Sequence, residues 1–527
     1  MRGDLEWGTL PGLLAAAAER FGDDHALVDG PITFSFRQLH GAAREAARAF
    51  IALGVRAGDK VAIWAPNIWE WVVALGGLHA AGAVLVPLNT RFKGPEAAYI
   101  LEKSGATVLL TVSDFLDTDY VALLGPERER LPNLGHVVVL RGEAPKDTVG
   151  WADFIGQGQK VQEGQLEARV AGVRPDDVAD ILFTSGTTGR PKGAMCTHAQ
   201  ALRAYADWAD VVGLRHGDRY LIVNPFFHAF GYKAGIVASL ATGATILPHA
   251  VFDPAAVFER IPADRISMLP GPPALYQTLL NHPDFDKQDF SSLRLAVTGA
   301  ASIPVELIRQ MREIFETVIT GYGLTEACGI ATMCRHDDDP ETIATTSGRA
   351  IPGVEVEVID DNGKEVARGD QGEVVVRGYN VMLGYFDEPS ETSATIDGDG
   401  WLHTGDIGVM DDRGYLRITD RKKDIFIVGG FNAYPAEIEH AILEHDGVAQ
   451  VAVVGVPDQR LGEVGAAFVV PRAGATVDPD ELIAWCRERM ANFKVPRRVE
   501  VVDALPLNAG GKVLKYELRA RLAGSGA

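Results

Sequence analysis

The stretch "ILFTSGTTGRPKGAMCTH", residues 181–198, decides how the chain is read. An apolar run, "DILFT", feeds a burst of hydroxyls and glycines, Thr184, Ser185, Gly186, Thr187, Thr188 and Gly189, which closes on Lys192. Glycines let backbone N–H groups turn toward an anion, hydroxyls add donors and the lysine adds charge, so the pattern predicts a phosphate cradle after a strand. The Walker A pattern requires glycine before its lysine and a hydroxyl residue after it. Here Pro191 precedes Lys192 and Gly193 follows, so phosphate is held by another arrangement. The competing reading is a solvated Ser/Thr/Gly turn between strands. The ten consecutive residues "TSGTTGRPKG" after an apolar run weigh against it.

Outward from the loop, strand-like runs alternate with helix-length amphipathic segments. "KVAIWAP", "WEWVVALGGLHAAG", "AVLVPL" and "ATVLLT" precede it; "RYLIVNP", "ATILPH", "ISMLPG" and "LRLAVTG" follow. This alternation predicts an α/β fold, with parallel-rich sheets covered by helices. From 350 to 420 the rhythm changes to short strands with Gly and Asp turns, "VEVEVIDDNGKEV", "GEVVVRG" and "GYLRITD", which predict a small antiparallel, β-barrel-like unit. After "ITDRKKD" come a helix from "YPAEIEHAILEH", the strands "AQVAVVGVPD" and "GAAFVVP", and another helix. Asp478, Pro479 and Glu481 predict a capping box there, with Leu482, Cys486 and Met490 on one face. The boundary falls near 420, giving a large domain over 1–420 and a small α+β domain over 421–527.

At 527 residues the chain exceeds what one core organises. Lys and Arg number 50 against 71 Asp and Glu, a net charge of -21, which repels nucleic acid and anionic membranes. An anionic ligand must therefore be gripped by local cations. The four cysteines, Cys196, Cys328, Cys334 and Cys486, show no CxxC spacing, which disfavours zinc and a disulfide framework and suits a reducing, cytoplasmic setting. The apolar stretch from Trp71 to Leu88 contains His79, paired glycines and Pro87, so a buried helix turning into a buried strand explains it better than a membrane span. The N-terminal "GTLPGLLAAAAERF" predicts an amphipathic helix rather than a signal peptide.

"TSGTTGRPKG" resembles the signature loop of the adenylate-forming superfamily, which includes acyl-CoA synthetases and peptide-synthetase adenylation domains. Six further motifs follow in that family's order: "NPFFHAFG" (224–231), "TGAA" (298–301), "TGYGLTE" (320–326), "WLHTGD" (401–406), "ITDRKKDIFIVGGFNAYPAEIE" (418–439) and "PLNAGGKVLK" (506–515). The resemblance spans nearly the whole chain. It implies that a carboxylate is joined to ATP with release of pyrophosphate, leaving an acyl-adenylate, and that the acyl group then passes to the thiol of coenzyme A. The first step brings anions together, so the site must supply positive charge and positioning more than proton transfer.

The resemblance also implies roles. Thr184, Ser185, Gly186, Thr187, Thr188, Gly189 and Lys192 would cradle the β- and γ-phosphates. Gly299, Ala300 and Ala301, with Gly321, Tyr322 and Gly323, would border the nucleotide, with Tyr322 stacked on adenine. Thr325 would contact the α-phosphate and Glu326 would hold Mg2+, as suits a hard cation bridging phosphates. Asp406 would accept both ribose hydroxyls, and Arg421 would reach ribose or phosphate. Asp420 matches a hinge about which a mobile terminal domain rotates. Lys512 would bridge the carboxylate and the α-phosphate, while Gly429, Gly430, Phe431 and Asn432 would line the path of the CoA arm. His228 would orient the acid without acting as a base.

Phe227, Phe230, Gly231 and Tyr232, with Ala300 and Ala301, would line an apolar acyl pocket. "FFHAFGYKAG" has no acidic residue to hold an amino group, which disfavours amino acids. Thr320 stands where many relatives carry glutamine, and "TGAA" replaces a commoner Gly-Gly pair. Segments such as "NPFFHAFGYKAG" and "VPDQRLGEVGAAFVV" resemble the family's ligases for the methyl-indane-dione propanoate left from steroid rings C and D, with Lys233 or Tyr232 as ketone partners. The alternatives are a medium- or long-chain fatty acid, a non-CoA acceptor, or a nucleotide-binding regulator without turnover. The implied partners are a small carboxylic acid, ATP and CoA, with no nucleic acid, no integral membrane association and a homodimer as the assembly to test.

Overall fold

The computed structural model describes residues 7–184, 191–299, 303–421, 424, 426–428, 431–458, 461–490, 492–507 and 513–524. Packing divides the chain into two compact units, Met1–Glu355 with Val376–Leu402, and Val356–Val375 with His403–Ala527. The strands between 403 and 420 therefore group with the C-terminal residues. Packing thus divides the chain elsewhere than at 420, where the strand and helix pattern places the boundary.

In the first unit the strands and helices that carry the motifs are β1 (Lys60–Trp64), α1 (Trp69–Ala80), β2 (Val84–Pro87), β3 (Val178–Thr184), β4 (Lys192–Thr197), α2 (His198–Val212) and β5 (Gly384–Tyr385). An eight-stranded sheet runs β5, β4, β3, β2, β1, then Val108–Val112, His136–Arg141 and Val149–Gly150. Pairing is parallel from β3 to the far edge and antiparallel from β3 through β4 to β5. The phosphate-loop motif thus joins two hydrogen-bonded antiparallel strands, unlike the strand-to-helix turn of Walker A. Thr184 lies directly opposite Lys192, and directly opposed residues share a sheet face.

The apolar stretch expected as helix then strand is α1 followed by β2, and both are almost entirely buried. Its paired glycines permit close helix packing. A Cβ at Gly76 would stand 2.8 Å from the Cβ of Ala43, and one at Gly77 would stand 2.6 Å from that of Ala46, both on the helix Phe36–Ala52. Among the described residues no helix is long and apolar enough to cross a membrane.

Two four-stranded sheets complete the first unit. One is ordered Arg219–Ile222, Thr245–Pro248, His25–Asp29, Ile32–Ser35; the other is ordered Leu295–Thr298, Thr317–Tyr322, Thr332–Met333, Arg349–Ala350. The expected strand in "ISMLPG" is reduced to one bridging residue, Met268, which pairs with Tyr220 on one side and Leu295 on the other. Pro270 follows without an N–H to extend the ladder.

A short-stranded sheet ordered Val354–Ile359, Gln371–Gly378, Leu402–Met410, Leu416–Arg421 has most of its residues in the second unit, in the place expected for the barrel-like element. That unit's other sheet is built on Val448–Asp458 paired antiparallel with Gly462–Pro471. Alternation along Val448–Asp458 buries both faces. Val451 and Val453 join Ile438, Ile442, Leu482 and Cys486 in one core. Ala452 and Val454 join Phe468, Leu518 and Leu522 in another. Asp478 caps the helix Pro479–Arg489 by accepting from the N–H groups of Asp480 and Glu481. All four cysteines are free and buried.

Candidate active site

The site in the first unit is organised around Glu326. The strand Thr317–Tyr322 ends and the chain makes a single 3-10 turn, Thr325–Ala327, after which Cys328 adopts a left-handed conformation, φ 55°. The N–H of Gly329 then closes onto the Leu324 carbonyl at 2.9 Å. Only glycine fits at 323, because a Cβ there would lie 2.2 Å from the Gly329 carbonyl oxygen and 2.5 Å from the Ile330 Cα. A Cβ on Gly299 would likewise lie 2.7 Å from the Gly321 carbonyl oxygen, so the Gly299 and Gly321 segments touch backbone to backbone. Tyr322 and Thr325 are half-buried.

The turn presents Glu326 to the end of β3. Glu326 Oε1 accepts a 2.8 Å hydrogen bond from the Tyr385 hydroxyl and lies 3.5 Å from the donor Thr184 Oγ1. Burial and the neighbouring Glu326 carboxylate hold the Tyr385 phenol well above its usual pKa, so it stays a donor. Lys192 lies over the Tyr385 ring, 5.1 Å from its centroid, and pairs with Glu391. Carboxylate and hydroxyl oxygens are the donors a hard cation takes. Among the described residues no three His, Cys, Asp or Glu side chains converge. Mg2+ here would therefore be held by Glu326 together with substrate phosphates, the arrangement this ion favours. Ser185, Gly186, Thr187, Thr188, Gly189, Ala300 and Ala301 lie outside the described residues.

The acid side is built by "NPFFHAFG". His228 caps the short helix Ala229–Gly231, with its Nδ1 accepting from the Phe230 N–H at 3.2 Å. That bond fixes Nδ1 as the acceptor and leaves Nε2 as the N–H that can face a ligand. The imidazole keeps exposed surface but is densely surrounded, and desolvation holds its pKa below the usual 6.5. Asn67 pins the preceding loop: its Nδ2 donates to the carbonyls of Ile222 and Asn224, each at 2.9 Å, and its Oδ1 accepts from the Phe226 N–H at 2.8 Å. Phe227 and Phe230 are half-buried, and Gly231 is buried, where a Cβ would strike the Pro225 carbonyl oxygen at 2.1 Å.

Tyr232 and Lys233 depart from expectation. A π-helical turn, Tyr232–Val237, directs both into the core, and neither side chain retains exposed surface. The Tyr232 ring packs 6.0 Å from that of Trp71. Lys233 Nζ pairs with Asp180 Oδ1 at 2.9 Å and donates to Cys328 Sγ at 3.4 Å. Burial is the largest single effect and would lower the lysine pKa, but Asp180 together with Cys196, Cys328 and Tyr232 outweighs it and keeps the ammonium protonated. Lys233 is therefore neither a surface residue nor a partner free for a substrate ketone. Thr320 also faces inward, with its hydroxyl 2.9 Å from the Ile343 carbonyl.

In the second unit, Asp406 and Arg421 are directly opposed in the antiparallel pair Leu402–Met410 and Leu416–Arg421, so the expected ribose contact and the expected ribose or phosphate contact share one rung. Asp406 is buried, and its N–H donates to Thr404 Oγ1 at 3.1 Å. Phe431 starts the strand Phe431–Ala433, opposite Val428. Gly429, Gly430 and Lys512 lie outside the described residues.

Comparison with known proteins gives this geometry its family. The profile of the AMP-binding enzyme family matches residues 14–386, and that of its C-terminal domain matches residues 437–512. The chain is an AMP-binding enzyme. The 7a-methyl-1,5-dioxo-octahydro-1H-inden-4-yl propanoyl:CoA ligase of Rhodococcus jostii is 50% identical over 516 residues, 97% of this chain and 98% of the relative. The ligase of the same name from Mycobacterium tuberculosis is 52% identical over 513 residues, 97% and 98% of the two chains. The crystal structure of the anthranilate CoA ligase AuaEII with anthranoyl-AMP superposes with a TM-score of 0.88 at 29% identity, covering 98% of each chain. The family inferred from the seven motifs is thus the family found, and the chain has the fold of an adenylating enzyme.

Sequence reading missed several residues that hold this AMP-binding enzyme's site together. Tyr385 meets Glu326 across 59 positions and Glu391 meets Lys192 across 199, so neither has a local signal. Asn67 was equally hidden, in "WAPNIWE". Asp180 alone had a signal, as an acid at the head of an otherwise apolar strand that becomes fully buried.

Proposed function

We propose that this AMP-binding enzyme is an ATP-dependent acid:CoA ligase for a bicyclic keto-propanoate of the methyl-indane-dione type. The observation that carries the reading is identity of 50% and 52%, over nearly the whole chain, to two ligases named for that acyl group. A carboxylate oxygen of the acid attacks the α-phosphorus of ATP, a P–O bond forms, and pyrophosphate leaves with the bond that breaks. The thiolate of CoA then attacks the acyl carbon, and AMP leaves with the oxygen the acid contributed.

Thr184 and Lys192, at the mouth of the β3–β4 hairpin, bind the phosphates that leave, and Lys192 exchanges Glu391 for phosphate when ATP enters. Glu326 would hold a Mg2+ ion, which when bound would supply neutralisation of phosphate charge, and Tyr385 fixes the Glu326 carboxylate. The Nε2–H of His228 orients the acid between Phe227 and Phe230. Asp406 and Arg421 hold the ribose, Lys512 bridges the acid and the α-phosphate, and rotation about Asp420 brings Gly429, Gly430 and Phe431 to the CoA arm. Thioester formation from a panel of acids tests the reading. Turnover of the bicyclic acid well above palmitate supports it; comparable rates on palmitate with none on the bicyclic acid replace it with the fatty-acid alternative, and AMP release without CoA consumption points to another acceptor.

A further inference from the structure

The first unit contains a buried ion pair that the reaction above does not use. Lys233 Nζ and Asp180 Oδ1 are 2.9 Å apart, and both side chains are 0% exposed. Removing two charges from water is costly, and well-packed apolar residues often do as well for stability, so a pair in this position calls for a role other than holding the fold together. Its connections supply one. Asp180 lies on β3, four residues before Thr184. Lys233 lies five residues after His228, on a π-helical turn, a rare form that often accompanies functional sites. Its Nζ also reaches Cys328 Sγ at 3.4 Å, two residues after Glu326. The Cys328 carbonyl in turn accepts from the Tyr205 hydroxyl of α2 at 3.1 Å.

One ammonium therefore touches the strand that ends at Thr184, the element that follows His228 and the turn that carries Glu326. We infer that the Lys233–Asp180 pair is a positioning device, which sets where the Glu326 turn stands against the end of β3 and so forms the cation-and-phosphate side of the site. The alternative, a specificity contact to the substrate ketone, conflicts with the complete enclosure of Lys233 and its pairing with Asp180. The inference rests on the functional reading above only for the identity of the nucleotide.

The test separates fold from positioning. Single changes, Lys233→Met or Asp180→Leu, strand one buried charge and lower the melting midpoint. The double variant Asp180→Leu/Lys233→Met strands none, and its midpoint returns toward that of the wild-type protein. ATP affinity is then measured by calorimetry with Mg2+ and with EDTA, alongside AMP release. In the double variant we expect MgATP to bind about tenfold more weakly, ATP in EDTA to bind as in the wild-type protein, and kcat to fall roughly 10- to 100-fold, as for a misplacement of about 1 Å. Affinity and kcat both within about twofold of wild type overturn the inference. Lys233→Arg, which keeps the charge but displaces it, carries the same expectations if the double variant does not fold. Phe154→Leu, a core change beside Phe50, controls for general loosening; an equal loss of MgATP affinity there also overturns the inference. A wild-type protein that binds MgATP but releases no AMP with any acid refutes the functional reading, and the affinity comparison still judges the pair.

Discussion

Glu326 takes its position from groups far away in sequence, and Tyr385 is the one whose contribution can be isolated. Its hydroxyl donates to Glu326 Oε1 at 2.8 Å while its ring underlies Lys192. Tyr385→Phe keeps the ring and removes only the donor to a charged acceptor, an interaction of about 1.5–3 kcal/mol. Steady-state assays should show kcat/KM for ATP lowered at least about tenfold, alongside a modest fall in the melting midpoint. Unchanged kinetics would mean that Glu326 needs no such support. At this scale the sequence named Glu326 and Thr184 because each sits in a dense local motif. It was silent on Tyr385 because that residue sits in none of the motifs and its hydrogen bond spans 59 positions. It misread Lys233 because a lone lysine on an apolar segment gives no sign of a buried counter-charge on another strand.

At the scale of elements, the loop before His228 is pinned chiefly by Asn67. Asn67 makes three hydrogen bonds to it, and all are buried. Asn67→Ala leaves those backbone groups without partners and should cost about 2–3 kcal/mol of stability. Because the released loop leads into His228, Phe227 and Phe230, KM for the acid should rise more than KM for ATP; equal rises would place the effect elsewhere. Elements marked by an unbroken apolar run were legible, as for α1 with β2, where His79, the paired glycines and Pro87 told against a membrane span. "ISMLPG" was legible as extended chain but not as a one-residue bridge, since pairing on both sides depends on the strands that hold Tyr220 and Leu295. The antiparallel turn from β3 to β4 was not legible either: loop composition reports affinity for phosphate, not the direction of the next strand.

For the whole molecule, two buried histidines set an acid limit. His79 and His198 pack edge to face, 5.1 Å between ring centres, with His79 Nε2 at 3.1 Å from the Ala179 carbonyl and His198 Nδ1 accepting from the Leu10 N–H at 3.3 Å. Desolvation lowers both, His198 to about 4 and His79 well below 6.5. In the unfolded chain both titrate near 6.5, so the unfolded state binds more protons between these limits. Their contribution is complete above about pH 6.5 and erodes by about 1.4 kcal/mol per pH unit for each imidazole as pH falls toward 4. Denaturant unfolding at pH 7, 6 and 5 should show that loss, and His198→Phe should flatten the slope.

The central claim is chemical, that the acid's carboxylate attacks the α-phosphorus of ATP before any thiol is involved, and isotope transfer tests it most directly. With an acid labelled with oxygen-18 in its carboxylate, plus ATP and CoA, the account predicts AMP carrying one labelled oxygen from the acid and pyrophosphate carrying none. Label in pyrophosphate or inorganic phosphate, or thioester formed alongside unlabelled AMP, would contradict it.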